Sequence, residues 1–295
     1  MAGDSFVSRL YRAMKDGEDA TVRRLVKKHR HELDAPDDGC IAPPLIACVT
    51  CERADYLALL LEAGAEPNHR SLGTKGASHN LRALEMATWY QREDLQRLLL
   101  GAGATEDFGT WVFRADVERV RDALTERPEL ADEVYIRPGH GLLHVAAQVG
   151  SGPLAVFLLE QGFDPNAADV DGHAPLRYAA RNEPALEVLA ALHAAGADLD
   201  QGNKAGITAL TAACRHRESL PTIEWLLRAG ADPDLVPKNG VSALMKAVNS
   251  RVPEMVSLLL EHGADRAHRD KKGATALDLA RRKKLDAIVG LLESG

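Results

Sequence analysis

Leu226-Leu227-Arg228-Ala229-Gly230-Ala231-Asp232-Pro233-Asp234 closes one segment of this chain, and Leu258-Leu259-Leu260-Glu261-His262-Gly263-Ala264 closes the next. The same signature stands at Leu59-Leu60-Leu61-Glu62-Ala63-Gly64-Ala65, Leu98-Leu99-Leu100-Gly101-Ala102-Gly103-Ala104 and Leu158-Leu159-Glu160-Gln161-Gly162-Phe163, with a weaker copy ending in Gly196-Ala197. The steps between Gly162, Gly196, Gly230 and Gly263 are 34, 34 and 33 residues. Each leucine run reads as the buried stripe of a helix, and the glycine supplies the left-handed cap that ends it. Clusters such as Glu66-Pro67-Asn68, Asp164-Pro165-Asn166 and Asp198-Leu199-Asp200 then turn the chain away. Gly172, Gly206, Gly240 and Gly273 mark the tips of a following hairpin. After each comes a short first helix with small residues, such as Ala179-Ala180 or Ala212-Ala213, where neighbouring helices approach closely. A two-helix unit of this size cannot bury its apolar face alone, so repetition at this period predicts a stack.

The pattern resembles the ankyrin repeat. The local matches are Gly141-Leu142-Leu143-His144-Val145-Ala146-Ala147, Ala174-Pro175-Leu176-Arg177-Tyr178-Ala179-Ala180 and Thr275-Ala276-Leu277-Asp278-Leu279-Ala280. No copy keeps the full Thr-Pro-Leu-His of the family, so each lacks part of the hydrogen-bond network those residues make. The resemblance implies an all-α ankyrin-repeat solenoid of helix–turn–helix units with β-hairpin-like finger loops. About nine units fit. Residues 1–133 hold an N-terminal cap and irregular repeats; 134–295 hold regular repeats and a C-terminal cap, the whole expected as one continuous solenoid. Two irregularities fall in the first stretch. Surplus residues at 71–80 lengthen one finger, and Trp111-Val112 takes the place of a small pair near 106–133. Trp111 is too large for that slot, so the stack is expected to bend or separate there.

Composition sets the remaining bounds. Of 295 residues 45% are apolar and only 4% aromatic, which suits a core of close-packed Ala and Leu. The net charge of −7 argues against general affinity for nucleic acid or anionic membranes. Cys40, Cys48, Cys51 and Cys214 are too few and uneven for a disulfide framework, which points to a reducing, cytoplasmic setting. The start of the chain lacks the basic and apolar regions of a secretory signal, and no stretch is long and apolar enough to span a membrane.

Few residues suggest chemistry. Cys48 and Cys51 form a Cys-x-x-Cys with Cys40 upstream, but the pair falls in a first helix, where packing is the simpler use. His144 stands where the family's histidine braces the hairpin. Trp225 replaces a leucine in a second helix and is expected to pack in the core. Arg281-Arg282-Lys283-Lys284 reads as a solvated terminal cap. No phosphate loop, zinc-protease motif or nucleophile elbow occurs. No cofactor, metal or small-molecule substrate is expected.

The resemblance places a protein partner on the concave face, against the finger tips and first helices. Counted from each finger glycine, the tip positions are Arg137 and His140, Val170 and His173, Lys204 and Ile207, and Lys238 and Val241. The positions after the small pair are Gln148 and Val149, Arg181 and Asn182, Arg215 and His216, and Asn249 and Ser250. These positions include several cations and no carboxylate, which predicts a mildly basic groove for an acidic protein segment. The expected function is a non-catalytic interaction module: adaptor, inhibitor or regulatory subunit. Two alternatives stay open. One is an enzyme with its site in 106–140 or at the cysteines; the other is nucleic-acid binding through the concave cations.

Overall fold

The computed structural model describes residues 5–34, 43–70, 81–132, 139–181, 185–215 and 217–294. The chain forms two compact units, Met1–Leu142 and Leu143–Gly295. The first holds α1 (Phe6–Lys15), α2 (Asp19–Lys28), α3 (Pro44–Thr50), α4 (Ala54–Glu62), α5 (Ala83–Trp89), α6 (Glu93–Gly101), α7 (Phe108–Arg114) and α8 (Val117–Glu126). The second, counting a helix that begins at the boundary, holds α9 (Leu142–Val149), α10 (Gly152–Glu160), α11 (Pro175–Ala179), α12 (Leu186–Ala194), α13 (Ala209–Ala213), α14 (Leu220–Ala229), α15 (Ala243–Ser250), α16 (Pro253–Glu261), α17 (Ala276–Arg282) and α18 (Asp286–Glu293).

Within each unit helices pack in pairs, and pairs stack on their neighbours. In the first unit α3 packs against α4, α1 and α5, while α4 packs against α2 and α6. In the second, α15 packs against α16, α13 and α17, and α16 against α14 and α18. The leucine stripe is the reason. Leu226 and Leu259 are fully buried, and Gly230 ends α14 in the left-handed conformation with φ 102°. The acidic clusters after the second helices act as staples. The Asp232 amide donates to Asp200 Oδ1 at 2.9 Å, and the Asp265 amide to Asp234 Oδ1 at 2.7 Å. Asn166 accepts from the Asp198 amide in the same way, at 2.8 Å. One carboxylate or amide per repeat therefore satisfies the backbone of its neighbour.

Among the described residues no strand forms, only an isolated bridge between Arg70 and Arg82 on either side of 71–80. The fingers are hydrogen-bonded turns instead. Asp169 N donates to His173 O at 3.0 Å and Gly172 N to Asp169 O at 2.8 Å, and Asn203, Ile207 and Gly206 repeat the arrangement. The surplus loop 71–80 lies outside the described residues.

Trp111 does occupy the slot of a small residue. Its carbonyl accepts from Asp116 N at 2.9 Å, as that of Ala87 accepts from Arg92 N at 2.9 Å. Val112 beside it is fully buried, whereas the Trp111 indole is half-buried with the Arg119 guanidinium 5.8 Å from its ring. The excess volume goes to the surface. Trp225 departs from the core packing expected of it. It is half-exposed, edge-on to His193 at 5.8 Å, in an open groove of about 470 Å³ lined by Leu186, Pro221 and Arg228.

Candidate functional site

One turn geometry builds the finger row of the second unit. Asp169 Oδ1 accepts from the amides of Asp171 and His173, both at 2.9 Å. Asn203 Oδ1 does the same for Ala205 and Ile207, and Asp270 Oδ1 for Lys272 and Ala274. These are Asx turns, which need a short side-chain acceptor at their first position. The next residue is thereby put into solvent: Val170, Lys204 and Lys271 are exposed, and Lys238 follows Pro237 in the same place. The residue four positions on runs back under the finger. His140 and His173 are therefore buried, and Ile207 and Val241 are half-buried. Placing those four at an outward tip is corrected here: they pack on the inward limb. Arg137, Asn182 and His216 lie outside the described residues.

The first-helix row follows. Arg181, Arg215 and Asn249 are exposed, and Gln148, Val149 and Ser250 are half-buried. Ser250 Oγ bonds to the carbonyls of Cys214 at 2.8 Å and Arg215 at 3.2 Å. Lys246 in the same row was not singled out from the sequence. It is buried, its Nζ donates to Thr211 O at 2.9 Å, and burial with the nearby Arg215 charge pushes its pKa down to about 8. Lys271 was also missed, although it lies 33 residues after Lys238 and continues the period of Lys204 and Lys238.

Charge is segregated in this unit. Arg181, Lys204, Arg215 and Lys238 form no ion pair among the described residues, while Glu224 and Arg228 pair on α14 at 2.7 Å. Asp198, Asp200, Asp232, Asp234 and Asp265 lie in the loops after the second helices, and each of them accepts a backbone amide there. One carboxylate breaks the cation row: Asp171 is exposed in the first of these fingers, beside Val170.

A polar network braces that finger. His144 Nε2 donates to His173 O at 3.0 Å, and His173 Nδ1 lies 3.2 Å from Asp169 Oδ2. Tyr178 OH donates to the same oxygen at 2.6 Å, and Asn203 Nδ2 donates to His173 Nε2 at 2.8 Å. Burial lowers the pKa of both histidines, favouring the neutral ring. Burial would raise Asp169, but hydrogen bonds from Tyr178 and the His173 backbone outweigh it and hold the carboxyl at about 2. Asp169, Asp171 and His173 place ligand atoms within 4.8 Å of one another. Both Asp169 oxygens already hold the finger, which makes bracing their evident work.

Among the described residues, the cysteine pair and the region 106–140 are also packed. Cys48 is fully buried with Sγ 3.4 Å from Met14 Sδ, and burial pushes its thiol well above the ordinary range. Cys51 is half-buried, both are free thiols, and Cys40 lies outside the described residues. Near 106–140, Asp107 caps α7 and bridges Arg70 and Arg82, each at 2.5 Å. Glu85, fully buried beside them, receives the Arg82 amide at 2.8 Å. Burial and the Asp107 charge raise its pKa to about 8.

No helix among the described residues is long and apolar enough to cross a membrane. Residues 143–236 and 217–295, together more than half of the chain, match a family model described as ankyrin repeats in 3 copies. No curated protein matches the chain.

Proposed function

The chain belongs to the ankyrin-repeat family, and from that premise we propose that it binds an acidic segment of a protein partner as a non-catalytic adaptor, inhibitor or regulatory subunit. Ankyrin repeats are generally protein–protein interaction modules, and such domains are typically non-catalytic. The observation that carries the reading is the row of exposed cations on fingers and first helices, Lys204, Lys238, Arg181 and Arg215, which form no ion pair among the described residues. Asp200, Asp234 and Glu224 of the same unit meanwhile lie in loop staples and on a second helix, away from that row. Rigid repeats present such a surface with little ordering cost. Unpaired surface cations steer a complementary partner and set specificity. The free, buried thiols of Cys48 and Cys214 support work in a reducing, intracellular compartment.

The test is capture from the native source with wild-type chain beside Arg181→Glu/Arg215→Glu. The partner should be lost from the variant, and wild-type binding should weaken as salt rises. Equal recovery by both forms, insensitive to salt, excludes the acidic partner.

A further inference from the structure

Three exposed lysines stand at one position in three successive fingers: Lys204, Lys238 and Lys271, separated by 34 and 33 residues. Each follows the first residue of its turn, which is Asn203, Pro237 or Asp270. None forms an ion pair among the described residues.

Backbone contacts lock the row in register. Lys204 N donates to Asp171 O at 3.0 Å, and Lys238 N to Ala205 O at 2.8 Å, each joining a finger to the one before. The same register recurs in the glycine contacts. A Cβ built on Gly172 would lie 2.9 Å from Lys204 N, and one on Gly240 would lie 3.1 Å from Lys271 N. The fingers are packed backbone to backbone at both steps, so the lysine Cα positions repeat with the stack.

The period of that repeat follows from packing. Adjacent helices lie about 8–10 Å apart, and fingers joined backbone to backbone advance with the helices that carry them. A peptide in the polyproline II conformation has three residues per turn and rises about 3.1 Å per residue, so residues i, i+3 and i+6 share one face at steps of about 9 Å, one repeat of the stack. Screening then selects register over total charge. At physiological salt the Debye length is about 8 Å, shorter than the step, so each lysine responds chiefly to the carboxylate directly facing it.

We propose that Lys204, Lys238 and Lys271 form a ladder that reads an acidic peptide in the polyproline II conformation with carboxylates at i, i+3 and i+6. This rests on the acidic-partner reading above and specifies the spacing that such a partner carries. The segment lies along the fingers, with the two intervening residues of each triplet free to vary. The equivalent position of the preceding finger is Val170, which offers no cation, so the ladder ends at Lys204.

The test uses the full chain and fluorescent peptides of one length and one net charge, with three aspartates in a neutral Gly/Ser background. Their spacings are contiguous, every second, every third and every fourth residue. Three exposed pairs formed together favour the every-third peptide by on the order of tenfold at physiological salt. That preference should shrink at low salt and vanish in Lys204→Ser/Lys238→Ser/Lys271→Ser, whose helical circular dichroism and melting should match wild type. Equal affinity for all spacings, still lost in Arg181→Glu/Arg215→Glu, overturns the ladder and leaves the acidic partner standing. Binding of none of the peptides overturns both. Tighter binding of single-stranded DNA than of any peptide, abolished in the triple variant, assigns the ladder to phosphates and overturns the peptide reading.

Discussion

The Lys246 ammonium rests on the carbonyl of Thr211, 2.9 Å away and one repeat earlier. Helix α13 ends at Ala213 after five residues, leaving late carbonyls without helical partners. Lys246 takes that of Thr211, and Ser250 takes those of Cys214 and Arg215. A cation at a helix C-terminus also opposes the helix dipole favourably. The helix end that carries Arg215 is thus held by α15, which ties the geometry of a candidate contact to the stacking of the next repeat.

That placement makes stability rise with pH in a defined window. Burial, with the Arg215 charge beside it, pushes Lys246 down from the ordinary 10.5 to about 8. Between those values the unfolded chain binds more protons than the folded one, so alkaline conditions favour folding. Melting temperature should rise from about pH 7.5 to about pH 9.5 in wild type relative to Lys246→Met, by a few degrees. Parallel pH curves for the two proteins would show that the ammonium is solvated after all.

Glu85 gives the opposite slope in the first unit. Its carboxyl is raised to about 8 by burial and by the Asp107 charge, against an ordinary 4.5. Across that window the folded state holds a proton that the unfolded state has lost, so this contribution to stability declines as pH rises. Glu85→Gln keeps an oxygen for the Arg82 amide, now 2.8 Å from Glu85 Oε2, and carries no charge. Between about pH 5 and pH 8 the variant should lose less stability than wild type in chemical denaturation. A variant that is less stable at every pH, with an unchanged slope, would mean that Glu85 is ionised and paired to Arg82.

Thiol chemistry separates packing from reactivity at the Cys-x-x-Cys. Burial raises Cys48 far above neutrality and Cys214 to about 12, while Cys51 is half-buried. The thiolate is the nucleophile. Alkylation of native protein at about pH 8 should therefore mark Cys51 and spare Cys48 and Cys214 by at least on the order of a hundredfold. Mass spectrometry of the digest reads the result. Equal labelling of Cys48 and Cys51 would reopen the metal or redox reading of this pair.

The stack was legible because its signals are local and periodic: a leucine stripe, a capping glycine and an acidic turn at a constant step. The face for a partner was legible in part. Exposure at a finger depends on whether a residue is one or four positions into an Asx turn, and sequence spacing placed both at the tip. His173 and Val170 differ for that reason alone. Lys246 gives no sign in the sequence because its equivalents, Val145 and Tyr178, are apolar core positions, and its partner is a carbonyl that only the early end of α13 sets free. Trp225 stands where a leucine is expected, yet its indole lines an open groove beside His193 instead of the core.

The finger contacts themselves are open to a direct test. Gly172 has φ +82°, and an added Cβ would meet the Lys204 amide nitrogen at 2.9 Å; Gly196, at φ +87°, has nothing within 4 Å. Both alanine variants carry the left-handed strain of about 1 kcal/mol, but only Gly172→Ala must also push the next finger away. It should cost about 1 kcal/mol more than Gly196→Ala. It should also speed hydrogen exchange at the Lys204 amide, which donates to Asp171 O. If the two variants lose equal stability and that amide stays protected, the contact yields without consequence. The finger that carries Lys204 would then have no mechanical hold on the one before it, because a finger that can shift by a few tenths of an ångström at no cost is not kept in register.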